Sequence, residues 1–309
     1  MRTAIFGTGG AGGYFGSQLA LAGKDVVFIA RGEHLRAIRE HGLIVETDDG
    51  EKIAKAVATD DPASAGKVDV ILMGVKTWQL KDSAAAMLPM MGKDTFAVPL
   101  QNGVEAASDL ADVVGPERVV DGTCGTITRI VAPGRLRSVG HTNFIRFGER
   151  DNRQSKRVLE LRDMLVDAGV RAEIPEDIRV AVWKKFAFSG GCGGINAATR
   201  SPAGRTRSVP ETRDLLRRSI AEVVAIGQAM GVALDNAVVD ETLAFLDSLN
   251  HESTPSLLRD IAAGKPSELE AWTGAVVRLG RKAGVPTPVN DVLYAVLLPQ
   301  ELKARGLVE

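Results

Sequence analysis

Residues 3–31 read TAIFGTGGAGGYFGSQLALAGKDVVFIAR. A short apolar run rich in strand formers leads into a cluster of glycines. A stretch with helical spacing follows and stops at Gly23, and a second apolar run, DVVFIAR, reads as another buried strand. The cluster Gly7-Thr8-Gly9-Gly10-Ala11-Gly12 is G-x-G-x-x-G, with a strand before it and a helix after it. Alone the pattern says little; in that context each glycine has a physical task. Gly7 permits the tight turn, Gly9 lets the backbone approach a pyrophosphate, and Gly12 lets the helix pack close to the strand. Free N–H groups at the helix start then face the phosphates, which makes Gly7, Gly9, Gly10 and Gly12 candidate dinucleotide-binding residues.

The second strand ends on Arg31, 19 residues past Gly12. A site preferring NAD commonly places an acid there for the ribose 2′-hydroxyl. A guanidinium suits a 2′-phosphate instead, so the expected cofactor is NADP(H). A solvated strand-end arginine is the plain alternative. Two further stretches stand at the carboxyl ends of expected strands, where open α/β sheets bind ligands. Lys76 follows VILMGV and could face a phosphate or carboxylate. Asn102 follows FAVPLQ and could hold a ribose or carboxamide. For either residue taken alone, an ordinary loop role fits as well.

Outward from this stretch the alternation continues. EHLRAIREHG reads as a helix, LIVE, VDVILMGV and TFAVPL as strands, and TWQLKDSAAAMLPMM as a helix between the last two. Strands alternating with helices imply βαβ units and a mostly parallel sheet. After residue 118 the pattern shifts to short strands separated by Pro-Gly and Gly-His turns. A helix follows, with Val158, Leu161, Leu165 and Ala168 on one face, and VRAEI as one more strand. From Pro175 onward strand signals vanish and helices run to the end. The expected organisation is a Rossmann-type α/β domain over 1–174 and an all-helical domain over 175–309.

The chain has 309 residues, enough for two cores at 45% hydrophobic and 25% charged content. Its 38 basic and 39 acidic residues leave a formal net charge of −1, which argues against a nucleic-acid or anionic-membrane surface. Cys124 and Cys192 stand far apart with no metal-ligand spacing, as expected of buried thiols in a reducing compartment. The four histidines (His34, His41, His141, His251) form no metal pattern and read as surface or loop residues, so no metal is expected. No apolar run is long enough for a signal h-region or a membrane span, and the cytoplasm is the expected location. Helices with surplus apolar faces are compatible with a homodimer.

In the helical half, WKKFAFSGGCGGI spans 183–195. Two adjacent lysines sit in an apolar run, and both helical faces they could occupy are apolar, so spacing does not choose between Lys184 and Lys185. Four glycines in five positions then need a reason, because each costs about 1 kcal/mol relative to alanine inside a helix. Close approach of another helix, room for a ligand, or a helix break would each supply one. Glu268 and Glu270 read as opposite faces of one helix, not as a carboxylate pair.

Taken together, the segments IFGTGGAGGYFGSQLALAGKDVVFIARGEHLRAIREHGL, VKTWQ, QNGVE, VWKKFAF and GKPSELEAWTGAVVRLGRKAGVPTPVN resemble the ketopantoate reductase (2-dehydropantoate 2-reductase) family in order and spacing. The resemblance implies NADPH-dependent reduction of a 2-oxo acid to a 2-hydroxy acid in a cleft between a Rossmann domain and a helical domain. The family reaction is 2-dehydropantoate to pantoate, in pantothenate biosynthesis. It implies Lys185, in Trp183-Lys184-Lys185, as the general acid and Glu268 as the active-site glutamate. Lys76, Asn102 and Thr128 match cofactor positions, and Ser256 a substrate-binding serine. Ser189, Gly193, Ala203 and Thr273 stand where relatives carry polar residues, asparagine at most of them; Ser189 keeps a substrate-binding role in this reading. Those departures leave a different carbonyl substrate open. A dinucleotide-binding sensor without turnover is the remaining alternative, since it would need the glycine loop but neither Lys185 nor Glu268.

Overall fold

The computed structural model describes residues 1–140 and 143–309. His141 lies outside the described residues. The chain forms two compact units. One holds Met1–Gln101 and Glu105–Ile178; the other holds Asn102–Val104 and Arg179–Glu309. Asn102, Gly103 and Val104 thus group with the helical unit, while Gln101 stays with the first.

In chain order the first unit carries β1 (Thr3–Phe6), α1 (Gly10–Leu21), β2 (Val26–Ile29), α2 (Gly32–His41), β3 (Leu43–Thr47), β4 (Gly50–Ala54), β5 (Val57–Thr59), β6 (Val68–Met73), α3 (Leu80–Met87), β7 (Met91–Pro99) and α4 (Ala106–Val114). It continues with β8 (Asp121–Gly125), β9 (Thr128–Ala132), β10 (Arg135–Ser138), β11 (Phe144–Gly148), α5 (Lys156–Asp167) and β12 (Arg171–Glu173). The main sheet has five strands in the order β5-β2-β1-β6-β7, and every pairing is parallel. Alternate residues feed opposite faces. Ile5, Phe28, Val70, Leu72 and Phe96 join the core under α1 and α5, while Ala4, Phe6, Val27, Ile71 and Met73 join the core under α3 and α4. Both faces are buried, which is why these strands read as continuous apolar runs. Burial of each large side chain contributes roughly 1.5–3 kcal/mol. The predicted helical face of α5 is buried at Val158, Leu161, Leu165 and Ala168.

The strand LIVE does not join this sheet. As β3 it pairs antiparallel with β4 and parallel with β10, in a four-stranded sheet ordered β4-β3-β10-β9. The edge beside β2 is taken by the short strand β5. The partner that draws β3 into the other sheet, β10, is about ninety residues away, which local pattern does not report. A third sheet, β12-β11-β8, takes VRAEI.

The second unit is helical: α6 (Ile178–Thr199, whose first residue belongs to the first unit), α7 (Ala203–Ser208), α8 (Pro210–Ala229), α9 (Ala237–Ser248), α10 (Ser256–Ala262), α11 (Thr273–Ala283) and α12 (Pro288–Ala304). Helix α8 packs on α7, α9, α11 and α12. Its Glu222 carboxylate accepts the N–H groups of Val289 (2.8 Å) and Asn290 (3.1 Å), satisfying orphan donors at the start of α12. Among the described residues no helix is long and apolar enough to cross a membrane.

Candidate functional site

The first unit builds its candidate site from backbone. Strand order reverses between β1 and β6, and the loops after these strands carry the glycine cluster and Lys76. Gly7 has φ +96°, and a Cβ there would stand 2.6 Å from the Val75 nitrogen. A Cβ on Gly12 would run into the Gly7 carbonyl, and one on Gly74 would lie 2.7 Å from the Gly12 Cα. The turn, the start of α1 and the end of β6 thus meet backbone to backbone. Gly10 is covered by the Thr128 carbonyl. Gly9 differs: the nearest atom to its would-be Cβ is the Gly74 oxygen at 4.0 Å. No side chain caps α1, and no acid occupies its first turn. An open glycine beside uncapped helix N–H groups is the cradle a pyrophosphate requires, so the loop fits a dinucleotide.

Around this loop, Arg31 is exposed at the N-cap of α2. The Lys76 ammonium lies 5.7 Å from the centre of the Trp78 ring. The Thr128 side chain belongs to a hydroxyl chain, 2.5 Å from Thr126 Oγ1 and donating to Ser138 Oγ at 3.0 Å. It is the carbonyl of Thr128 that meets the glycine loop. The Gln101 amide donates to the Met73 and Val75 carbonyls, both at 2.9 Å, and so clamps the end of β6 ahead of Lys76.

The second unit builds its candidate site from side chains. Lys184 and Lys185 separate clearly. Lys184 is exposed and pairs with Glu241 of α9 at 2.8 Å. Lys185 is part-buried, its ammonium 5.7 Å from the Phe188 ring centre and donating to Asn102 Oδ1 at 3.3 Å. The other end of the same amide, Nδ2, donates to Glu268 Oε2 at 3.4 Å. Oxygen toward the cation and nitrogen toward the anion is the one orientation both charges favour. Gly103 makes this possible. Its φ is +94°, and a Cβ would stand 2.9 Å from the Ala271 carbonyl, so the Asn-Gly segment lies directly on the Glu268 segment.

That segment is not the helix its spacing suggests. Residues 268–272 form turns, and α11 begins only at Thr273. The Ser267 hydroxyl accepts the Leu269 N–H (3.2 Å), and Trp272, at φ −104° and ψ −94°, interrupts helical geometry. Ser267 is anchored in turn by Glu301 of α12. The buried Glu301 carboxylate accepts the Ser267 N–H (3.0 Å to Oε2) and hydroxyl (2.5 Å) and the Arg305 Nε–H (2.6 Å). Arg305 also donates to the Ser267 carbonyl at 3.1 Å.

The profile of the family described as "Ketopantoate reductase PanE/ApbA" matches residues 3–152, and that of its C-terminal part matches residues 177–301. A 2-dehydropantoate 2-reductase of Mesorhizobium japonicum is 30% identical, over 96% of this chain and 97% of its own. The chain belongs to the ketopantoate reductase family. Solved structures agree. A PanE/ApbA family ketopantoate reductase from Ralstonia eutropha has a TM-score of 0.90 at 30% identity, covering 99% of this chain and 100% of its own. A 2-dehydropantoate 2-reductase from Geobacter metallireducens has a TM-score of 0.90 at 29% identity, covering 97% and 99%. The family relatives carrying this name are oxidoreductases acting on CH–OH groups.

Within this ketopantoate reductase family member, the remaining predicted residues fall as follows. Ser189 is buried and its hydroxyl donates back to the Lys185 carbonyl at 3.2 Å. Ser256 opens α10 and is half-buried. Ala203 is buried at the start of α7. The glycines of α6 are filled by protein. A Cβ on Gly191 would stand 3.0 Å from the Ile220 Cα of α8, on Gly193 2.5 Å from Cζ3 of Trp272, and on Gly194 2.8 Å from the Thr273 hydroxyl. They permit close helix approach inside an unbroken α6.

Read from sequence, Gly74, Gln101, His34 and Glu301 have no role in these sites. Glu301 alone left a signal: it continues the buried i, i+4 row of Leu293 and Leu297, and an acid on a buried face demands a partner. His34 is not a surface residue; its part-buried ring bonds the glycine loop.

Proposed function

We propose that the chain is an NADPH-dependent reductase of a 2-oxo acid, with Lys185 as proton donor. The observation that carries this reading is the convergence of Lys185, Asn102 and Glu268, from three distant stretches of sequence, on one amide. Bound NADPH would supply a hydride to the carbonyl carbon. Negative charge then develops on the carbonyl oxygen, and an ammonium both stabilises it and gives it a proton. Asn102 holds the Lys185 ammonium by its oxygen and Glu268 by its nitrogen, fixing the donor's direction before substrate arrives. Gly7, Gly9, Gly10, Gly12, Lys76 and Thr128 serve the cofactor, and exposed Arg31 answers its 2′-phosphate.

The named relatives suggest 2-dehydropantoate as substrate. A second reading keeps the reaction and changes the substrate, and the helix α6 favours it. Where the family resemblance calls for asparagines, this chain has Ser189, whose hydroxyl is spent on its own helix, and Gly193, covered by the Trp272 ring. Neither offers a carboxamide to a polar substrate.

The test is NADPH oxidation with a panel of 2-oxo acids. Lys185→Ala is expected to lower kcat by about 10²–10⁴-fold, while Lys184→Ala, which removes only an exposed ion pair, stays near wild type. No turnover with any carbonyl compound would sink the enzyme reading in favour of a dinucleotide sensor. Equal loss in both variants rejects the role of Lys185, and preference for NADH rejects that of Arg31.

A further inference from the structure

We propose that His34 is a positioning residue of the dinucleotide site, its imidazole fixing the Thr8–Gly9 peptide so that the Gly9 N–H faces the phosphate. This rests on the dinucleotide reading above. The Gly134 N–H donates to His34 Nδ1 at 3.0 Å. A ring nitrogen that accepts carries no proton, so the neutral imidazole holds its hydrogen on Nε2. That nitrogen lies 2.8 Å from the Thr8 carbonyl and donates to it.

The Thr8–Gly9 peptide is trans, as are all those described. Its C=O and N–H therefore point in opposite directions. Holding the carbonyl toward α2 turns the Gly9 N–H the other way, at the one glycine of the loop left open by its surroundings. Thr8 is tied at its other polar groups as well, its N–H (3.3 Å) and hydroxyl (3.1 Å) both donating to the Ile29 carbonyl. The peptide can then turn only if His34 releases it.

The ring also joins three elements. His34 stands one turn into α2, three residues after Arg31. Gly134, at φ +70° between β9 and β10, would place a Cβ 2.7 Å from the Ala37 Cβ, so that turn is seated on the same helix. Charged groups on these elements have other partners or are exposed, as Glu40, His41 and Arg129 are. Glu33 pairs with Arg36 (2.9 Å), Arg39 donates to the Ala58 carbonyl, and Arg135 pairs with Glu46 and Glu51; Arg31 is exposed. The glycine loop itself contributes no titratable side chain.

Burial pushes the His34 imidazole below its ordinary value, more than the bond to Thr8 raises it. A lowered value means the fold favours the neutral ring. Its contribution is complete above about pH 6.5, the unfolded value, and is lost as pH falls through the folded value. Protonation sets a second N–H against the Gly134 N–H, donor facing donor.

The experiment measures NADPH dissociation constants between about pH 7.5 and 5.5 for wild type, His34→Ala and His34→Gln. An uncharged Gln keeps an amide donor for Thr8. Long-range ¹H–¹⁵N spectra of the free protein read the tautomer. Wild type is expected to show the Nε2–H tautomer and to bind a few-fold more weakly at the acid end. His34→Ala should be about tenfold weaker throughout, and His34→Gln should bind like wild type at neutral pH with a flatter acid limb. The 2′-phosphate titrates in the same window, but it does so in every variant, so the difference between them reads His34. An Nδ1–H tautomer, or His34→Ala binding with wild-type affinity and pH slope, overturns the proposal. If wild type binds no dinucleotide at all, the cofactor reading fails and takes this one with it, whereas binding that ignores His34 sinks this one alone.

Discussion

The glycine loop of the first unit and the lysine–glycine helix of the second use the same residue type for opposite ends. Around Gly9 the absence of a side chain leaves space that the protein does not fill. Around Gly191, Gly193 and Gly194 the space is taken by Ile220, Trp272 and Thr273. The loop is a candidate site made of backbone, whose geometry comes from a turn and a helix start. The helical site is made of side chains. Lys185, Asn102 and Glu268 meet there, and the glycines only let their supporting helices close. A backbone site depends on neighbours in sequence, a side-chain site on residues far apart.

That contrast can be broken at its supports. The largest effect is expected from Glu301→Ala, which removes the buried acceptor of both Ser267 groups and of Arg305. Loss of one partner from a buried ionic network costs about 3–5 kcal/mol, measured by urea unfolding. Activity should fall with it, because the turn carrying Glu268 loses its anchor. Wild-type stability and turnover would mean that the side-chain site does not need α12.

Next in size is Gly193→Asn, which returns the residue that relatives are expected to carry. Trp272 stands in the way, and overpacking should destabilise by about 1–3 kcal/mol. Adding Trp272→Ala should recover part of that loss. If Gly193→Asn alone is neutral and speeds reduction of 2-dehydropantoate, the glycine is there for substrate and the contrast fails.

The smallest effect on folding is expected at Gly9. Gly9→Ala meets no close atom, so stability should change by under about 0.5 kcal/mol, while NADPH affinity drops about tenfold in a titration of the folded variant. A stability loss without an affinity loss would assign Gly9 to packing and make the two glycine groups alike.

Legibility follows the same division. The parallel sheet, α1 and the glycine loop follow from adjacent residues, and strand, turn and helix stand where the spacing places them. Strand β3 could be read as a strand but not assigned to its sheet, because its pairing with β10, about ninety residues on, is long-range, and only the hairpin with β4 is local. The segment around Glu268 looks helical by spacing, yet the Ser267 hydroxyl and Trp272 hold it in turns. His34 gave no local sign that its ring would reach the loop, since Thr8 is 26 residues away.

The sequence by itself determined the class of the first unit, the helical nature of the second, and the glycine loop with Arg31 at the next strand's end. Those rest on periodicity and on conformational freedom, which are properties of neighbouring residues. Spacing did not separate Lys184 from Lys185; the family resemblance chose Lys185, and only the tertiary structure gives the physical difference. Both lie on apolar faces of one helix, and what distinguishes them is Glu241 beside one and Asn102 beside the other. It also decided what the glycines of α6 are for. A missing side chain is visible in sequence, but the atom that fills its place belongs to another part of the chain.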